Sequence, residues 1–98
     1  MGNSFASDKE LLILRLLSFQ PEGMYGLELI RASGEKLKRG TVYVTLGRME
    51  EKGYVRSRVD KQSTASHPGL PRPLYRVTAL GSRVLSAAEH IGWQIAEA

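Results

Sequence analysis

Residues 39–55 constrain the fold of this chain more than any other stretch, because they specify a helix, a stop and a strand in direct succession. Apolar residues recur there at i, i+4 and i+7, the spacing of one buried helix face: Val42, Leu46 and Met49. Gly53 follows, and glycine is the residue with which helices most often end. Val55 then begins a strand. We predict a helix over about residues 40–52 that leads directly into a sheet.

The remaining elements are predicted around this helix. A first helix begins near Ser7, because Ser7 and Glu10 have the spacing of a capping box. A second helix runs from about residue 24 to 32, a two-stranded hairpin occupies about 55–77, and Thr78 caps a last helix. The order helix-helix-helix-strand-strand-helix predicts a mainly α (α+β) fold, the winged helix-turn-helix.

The first helix is apolar on two sides. One side of its helical wheel carries Leu12, Ile13, Leu16 and Leu17, and the other carries Leu11 and Leu14. A helix that is apolar on both sides should be buried on both sides. In a domain this small, we expect Leu11 and Leu14 to meet a second subunit.

The last helix has one clean apolar stripe, which consists of Leu80, Val84, Ala87, Ala88, Ile91 and Ile95. Trp93 lies opposite this stripe. We expect residues 1–78 to form the DNA-binding domain and residues 79–98 to form a dimerisation helix, with Ile91, Trp93 and Ile95 at the interface. The alternative for Trp93 is a single exposed aromatic near a fraying terminus.

Length and composition exclude several classes of function. A chain of 98 residues is one domain without room for a catalytic module. It has no cysteine, which excludes disulfides, zinc fingers and thiol nucleophiles and suits a reducing cytoplasm. We expect no secretory signal, and no membrane span, because Arg15 interrupts the longest apolar run. His67 and His90 lie in no nucleophile or metal motif, so we expect no enzyme activity, metal or cofactor.

Charge is distributed unevenly along the chain. Residues 36–76 contain ten basic and three acidic side chains, a net charge of +7, whereas the rest of the chain sums to −3. This asymmetry favours one face built for a polyanion. The alternative is a solvated surface that happens to be basic.

The central helix carries candidate DNA contacts on the side opposite its apolar face. There we expect Thr41, Val44, Thr45 and Arg48, with Lys52 near the end. An arginine contacts guanine in two places, a valine suits the thymine methyl, and threonine contacts either base or phosphate. Lys38 and Arg39, just before the helix, are predicted phosphate clamps, and Tyr43 lies on the flank, with its hydroxyl within reach of a phosphate.

Three of these positions have a second interpretation. The ring of Tyr43 packs against the hairpin, or it contacts DNA. Arg48 pairs with Glu50 or Glu51 on a solvated face, or it contacts a base. Gly47 either permits close approach to DNA or is a neutral surface residue that weakens the helix by about 1 kcal/mol relative to alanine.

The predicted hairpin adds further basic residues. Arg58 and Lys61 lie on one strand, and Arg72 and Arg76 lie on the other. Basic wings commonly follow the phosphate backbone or enter the minor groove. We therefore predict that Arg58, Lys61 and Arg72 contact DNA. His67, near the tip, is predicted to be a solvent-exposed loop residue.

Several spaced motifs resemble the PadR family of transcriptional regulators. They are Leu-Leu-Ile-Leu-Arg-Leu-Leu at 11–17, Gly-Met-Tyr-Gly-Leu-Glu-Leu-Ile at 23–30, Gly-Thr-Val-Tyr at 40–43 with Gly53-Tyr54-Val55, and Pro71-Arg72 before Tyr75-Arg76-Val77-Thr78. The resemblance implies a winged-helix homodimer that binds double-stranded operator DNA, usually as a repressor. The short C-terminal helix is similar to that of the smaller branch of the family. Release by a small-molecule effector is an open alternative.

The chain departs from the family pattern at three positions. Val44 and Gly47, on the predicted DNA face, stand where the family commonly has proline and a larger polar residue, and Leu74 stands where it often has an aromatic. The operator therefore does not follow from the resemblance. The rival function is a winged helix that contacts proteins, such as a phage or plasmid factor that binds a host protein.

Overall fold

The computed structural model of the protein describes residues 6–59 and 72–97, and it describes side chains as far as residue 90. In chain order the elements are α1 (Asp8–Ser18), β1 (Met24–Tyr25), α2 (Gly26–Ala32), α3 (Arg39–Lys52), β2 (Val55–Val59), β3 (Pro73–Val77) and α4 (Ala79–Glu97). The strands form one antiparallel sheet in the order β1-β3-β2. The predicted α+β winged-helix architecture is confirmed. No helix within these ranges combines the length and the apolar character needed to cross a bilayer.

Strand β1 was not predicted, because Met24 and Tyr25 were placed in the second helix. They instead pair with Tyr75 and Leu74 of β3. Gly23 makes this possible, since its φ of 108° turns the chain in a way that favours glycine. A Cβ at Gly23 would lie 2.9 Å from both the Leu74 Cγ and the Tyr75 carbonyl oxygen. This short strand attaches the wing to the helix-turn-helix.

The core lies between the first three helices and the inner face of the sheet. Its fully buried side chains are Ile13, Leu14, Leu17, Leu29, Leu37, Leu46, Met49 and Val42. Leu37 was not predicted. The prediction that Leu14 meets a second subunit is wrong, because α1 packs against α2, α3, α4 and β3 of its own subunit. Leu14 therefore has no exposed surface to offer.

Helix α4 begins as predicted but faces the core with a different side. The Gly81 N–H donates to the Thr78 Oγ1 at 3.0 Å, which confirms the cap. Gly81 and Leu85 are buried, whereas Leu80 of the predicted stripe is 45% exposed and Val84 is half-buried. The cause is Gly81: a Cβ there would overlap the Tyr54 carbonyl oxygen, so only glycine lets the helix lie this close. Of the predicted stripe, Leu80 consequently lies at the surface, whereas Val84 still packs against the edge of the core.

Candidate DNA-binding surface

Helix α3 has a fully buried face and an exposed one. Val42, Leu46 and Met49 have no exposed surface, as their spacing predicts. Gly53 ends the helix as predicted, and its φ of 81° is left-handed. The opposite face is exposed and consists of Tyr43, Val44, Gly47, Arg48 and Glu51. This is the surface that the helix presents to a partner.

The first turn of α3 is electrostatically unlike those of α1 and α2. Lys38 provides no side-chain cap, both Lys38 and Arg39 are exposed, and the first turn contains no acidic residue. The first turns of α1 and α2, in contrast, contain Glu10 and Glu28. Because the N-terminal end of a helix carries a partial positive charge, two cations there favour an anion from outside the helix.

Tyr43 is held against the start of α2. A Cβ at Gly26 would lie 2.6 Å from both the Cε1 and the Oη of Tyr43. The ring therefore occupies the space that a side chain at position 26 would fill. Since the residue is still 42% exposed, its packed ring forms part of the outer surface.

The middle of the exposed face consists of an apolar residue, a glycine with open space beside it and a cation. Val44 is 56% exposed, and a Cβ at Gly47 would meet nothing within 4 Å. Arg48 is exposed, and no ion pair with Glu50 or Glu51 occurs in the described part of the chain. Glu50 instead accepts a hydrogen bond from the Ser57 Oγ at 2.7 Å. Arg48 is therefore available to a ligand.

Thr45 does not belong to the exposed face. It is 7% exposed, and its Oγ1 donates to the Thr41 carbonyl oxygen at 2.9 Å. Its position borders the apolar face, and the bond within the helix satisfies its hydroxyl, so the predicted DNA contact is wrong for this residue. Thr41 is half-buried at the edge of the surface.

The outer face of the wing brings arginines together across two strands. Arg56 lies directly opposite Arg76, and Arg58 lies opposite Leu74. They border an open groove of about 560 Å³ whose lining is Arg56, Ser57, Arg58, Arg76, Val77, Thr78 and Ala79. The Arg76 Nε donates to the Glu22 carbonyl oxygen at 2.9 Å, which fixes its direction. Like charges directly opposite each other are unfavourable, so this face attracts anions.

Two further predicted wing contacts have different outcomes. Arg72 is half-buried, with its Cζ 5.8 Å from the centroid of the Tyr25 ring, a cation–π distance. It therefore packs the start of β3 against β1. Lys61 and His67 lie outside the described residues.

Lys52 is bound to α1 and does not lie free on the DNA face. Its Nζ lies 3.1 and 3.0 Å from the two carboxylate oxygens of Glu10, and 5.6 Å from the centroid of the Tyr54 ring. Glu10 is 4% exposed and also accepts the Ser7 N–H at 2.8 Å. Burial alone would raise the pKa of Glu10, but the Ser7 hydrogen bond and the Lys52 ammonium outweigh it and lower the pKa below its ordinary 4.5.

The residues predicted for a dimer interface are only partly described. Leu11 is half-buried on α1. Ile91, Trp93 and Ile95 lie on the helical backbone of α4, and their side chains are outside the described part. Their interface role stays a prediction.

The fold and this surface together define a winged helix-turn-helix protein in which helix α3 is basic at its N-terminal end. The transcriptional regulator PadR-like family matches residues 13–87. The chain belongs to this family of transcriptional regulators. No curated protein sequence matches it.

Solved structures with the same fold support this assignment. A PadR family transcription regulator from Clostridium difficile R20291 is 27% identical, with a TM-score of 0.72, over 90% of this chain and 88% of that one. A PadR family transcriptional regulator from Eggerthella lenta DSM 2243 is 27% identical, with a TM-score of 0.72, over 91% and 78%. S. aureus MepR, in a complex with DNA, is 20% identical, with a TM-score of 0.72, over 91% and 66%, which shows a shared fold.

Proposed function

We propose that this chain is a homodimeric repressor that binds a palindromic operator with α3 in the major groove and the wing on the flanking backbone. The start of α3 carries the proposal: Lys38 and Arg39 add positive charge to a helix end that is already positive and has no acidic residue. A phosphate placed there would relieve this repulsion and use the free amides of the first turn. S. aureus MepR, which shares the fold, has been solved in a complex with DNA.

The residues on the exposed face of α3 divide into two proposed roles. Arg48 and Val44 are the base contacts, and Lys38, Arg39, Thr41 and Tyr43 contact phosphates. Arg58, Lys61 and Arg72 are proposed to extend the phosphate contacts along the wing. Thr45 is omitted because it is buried.

A dimer is supported by apolar surface that the subunit leaves uncovered. On α4, Leu80 is 45% exposed and Val84 is half-buried, and on the adjoining α1, Leu11 is half-buried. We propose that α1 and α4 pack across a two-fold axis, which also places one α3 at each half-site. Sedimentation at micromolar concentration should give a dimer, and a monomer would contradict this part of the proposal.

Selection of bound fragments from random duplexes tests the function as a whole. We expect a palindrome whose half-sites are about one helical turn apart. If the dimer neutralises about six to ten phosphates, its affinity should fall by roughly three to five decades between about 50 and 200 mM salt. Failure to bind any duplex at low salt would favour the rival function, a module that contacts proteins. A screen for displacement from the selected duplex tests for a small-molecule effector.

A matched pair of variants tests the division of roles. Arg48→Ala should weaken operator binding by about 1–3 kcal/mol and relax one base position. Lys38→Ala should weaken binding to every duplex by a similar factor and reduce the salt dependence by about one ion. If the two variants behaved alike on operator and scrambled duplexes, the assignment of base and phosphate contacts would be wrong.

A further inference from the structure

Glu10 and Lys52 connect α1 to α3 at the point where α3 passes into the wing. Lys52 is the last residue of α3, and Tyr54, whose ring faces its ammonium, immediately precedes β2. Glu10 lies in the first turn of α1, held by the Ser7 N–H. The start of α1 and the end of α3 therefore meet at the Glu10 carboxylate, and the Tyr54 ring lies beside the Lys52 ammonium.

Stability alone is a poor explanation for this ion pair. Burial of a carboxylate costs solvation, and apolar replacements of such pairs are often neutral or stabilising. The Lys52 side chain is also 42% exposed, which weakens the attraction further. What the pair does provide is a link between the two helices, because one ammonium lies 3.1 and 3.0 Å from the two oxygens of a carboxylate that the Ser7 N–H also holds. This link limits how far the last turn of α3 can move from α1.

We propose that Glu10 is a positioning residue for DNA recognition, which acts through Lys52 to hold α3 and the base of the wing in a fixed orientation on α1. The inference rests on the proposed function, in which α1 also meets the second subunit beside Glu10, at Leu11. In such a dimer, the distance and angle between the two α3 helices depend on how each is held to its α1. A looser connection lowers discrimination between DNA sites more than it lowers general affinity for DNA.

The experiment compares Glu10→Gln, Lys52→Met, the double variant and Lys52→Arg with the wild-type protein. Glu89→Gln is the matched control, because it breaks the other ion pair of α1, in which the Arg15 Nε lies 3.3 Å from the Glu89 Oε1, and leaves α3 untouched. Three kinds of duplex are used: the selected operator, the operator with its half-sites moved by one or two base pairs, and a scrambled sequence. Binding is measured at a temperature at which circular dichroism shows every variant to be folded.

We expect Glu10→Gln to lower operator affinity by about 3- to 30-fold, the range for residues that modulate a site without touching its ligand. Affinity for the scrambled duplex should stay within about twofold of the wild-type value. The ratio of affinities for the operator with correct and with altered half-site spacing should become smaller. Lys52→Met and the double variant should behave like Glu10→Gln, because the two side chains act as one connection. Lys52→Arg keeps the ion pair and should resemble the wild type, as should Glu89→Gln.

Several results would overturn the inference. Unchanged operator affinity and spacing preference in Glu10→Gln would do so, as would equal losses on operator and scrambled duplexes. Additive losses, with Lys52→Met weakening the scrambled duplex, would make Lys52 a phosphate contact. If Glu10→Gln does not fold, Lys52→Met decides. If the wild-type protein binds no duplex, the proposed function and the inference both fail. If the wild type binds DNA and Glu10→Gln binds it equally well and with the same spacing preference, only the inference fails.

Discussion

Helices α1 and α3 start in opposite ways although both lead into the same core. At α1 the Ser7 Oγ accepts the Glu10 N–H at 3.2 Å, and the Glu10 carboxylate accepts the Ser7 N–H in return. At α3, Lys38 makes no side-chain cap and Arg39 follows it. The start of α1 is thus completed by its own chain, whereas the start of α3 leaves amides and positive charge for a group from outside.

The largest effect on DNA affinity is expected where this difference is removed. Lys38→Asp gives α3 the acidic cap that it lacks, so the free energy of unfolding should rise by about 0.5–2 kcal/mol. DNA affinity should fall at least about tenfold, because a cation at a phosphate is replaced by an anion. Urea unfolding and duplex binding measure the two effects.

Lys36→Asp is the control, since Lys36 is exposed and precedes the cap. It should change stability by no more than about 0.5 kcal/mol. If Lys38→Asp did not stabilise the protein, the first turn of α3 would not be missing a cap or an acidic residue in the way that the comparison with α1 indicates.

The next effect is a loss of stability when the packing of Tyr43 of α3 against Gly26 of α2 is disturbed. Gly26→Ala places a methyl group where the Tyr43 ring lies, and we expect the free energy of unfolding to fall by about 1–3 kcal/mol. Gly40→Ala, near the start of α3, meets nothing within 4 Å and should cause no loss. In a Tyr43→Ala background the cost of Gly26→Ala should largely disappear, and an unchanged cost there would refute this packing.

The capped N-terminal end of α1 predicts a smaller loss of stability. Ser7→Ala removes the hydroxyl that accepts the Glu10 N–H, so the free energy of unfolding should fall by about 1 kcal/mol. Ser18→Ala removes an exposed hydrogen bond at the other end of the same helix and should cost less. Thermal unfolding of both variants measures the difference, and equal losses would contradict a special role for the cap.

The smallest effect is the pH dependence of Glu10. Its pKa is lowered in the folded state, so the stability that it contributes is present above about pH 4.5 and is lost as the pH falls through the folded pKa. The contribution should be at most about 1 kcal/mol, because Lys52 is partly exposed. The difference in unfolding free energy between wild type and Glu10→Gln should shrink on acidification from pH 6, and a difference independent of pH would contradict the assignment.

Features set by neighbouring residues could be predicted from the sequence. The cap at Ser7, the stop at Gly53 and the cap at Thr78 each depend on a few adjacent positions, and each is confirmed. The buried face of α3 followed from its spacing. On the candidate surface, Val44 and Arg48 are exposed as their positions on the wheel predicted.

Features that depend on distant residues could not be predicted in this way. Strand β1 exists only because β3 lies beside it, about fifty positions later in the chain. The bond between Lys52 and Glu10 spans 42 positions. Leu14 is buried because α1 is surrounded by its own subunit, and a helical wheel carries no information on what covers each side.

The open space around Gly47 has a consequence for how such a regulator acquires new targets. Among the described residues no side chain packs on this position, and the adjoining Val44 is largely exposed, so neither contributes much to the described fold. The resemblance to the family makes both of them positions at which the chain departs from the usual pattern. Under the proposed function, substitutions there would change the base contacts of the helix and leave the core below it intact, so operator preference would diverge between relatives without loss of the fold.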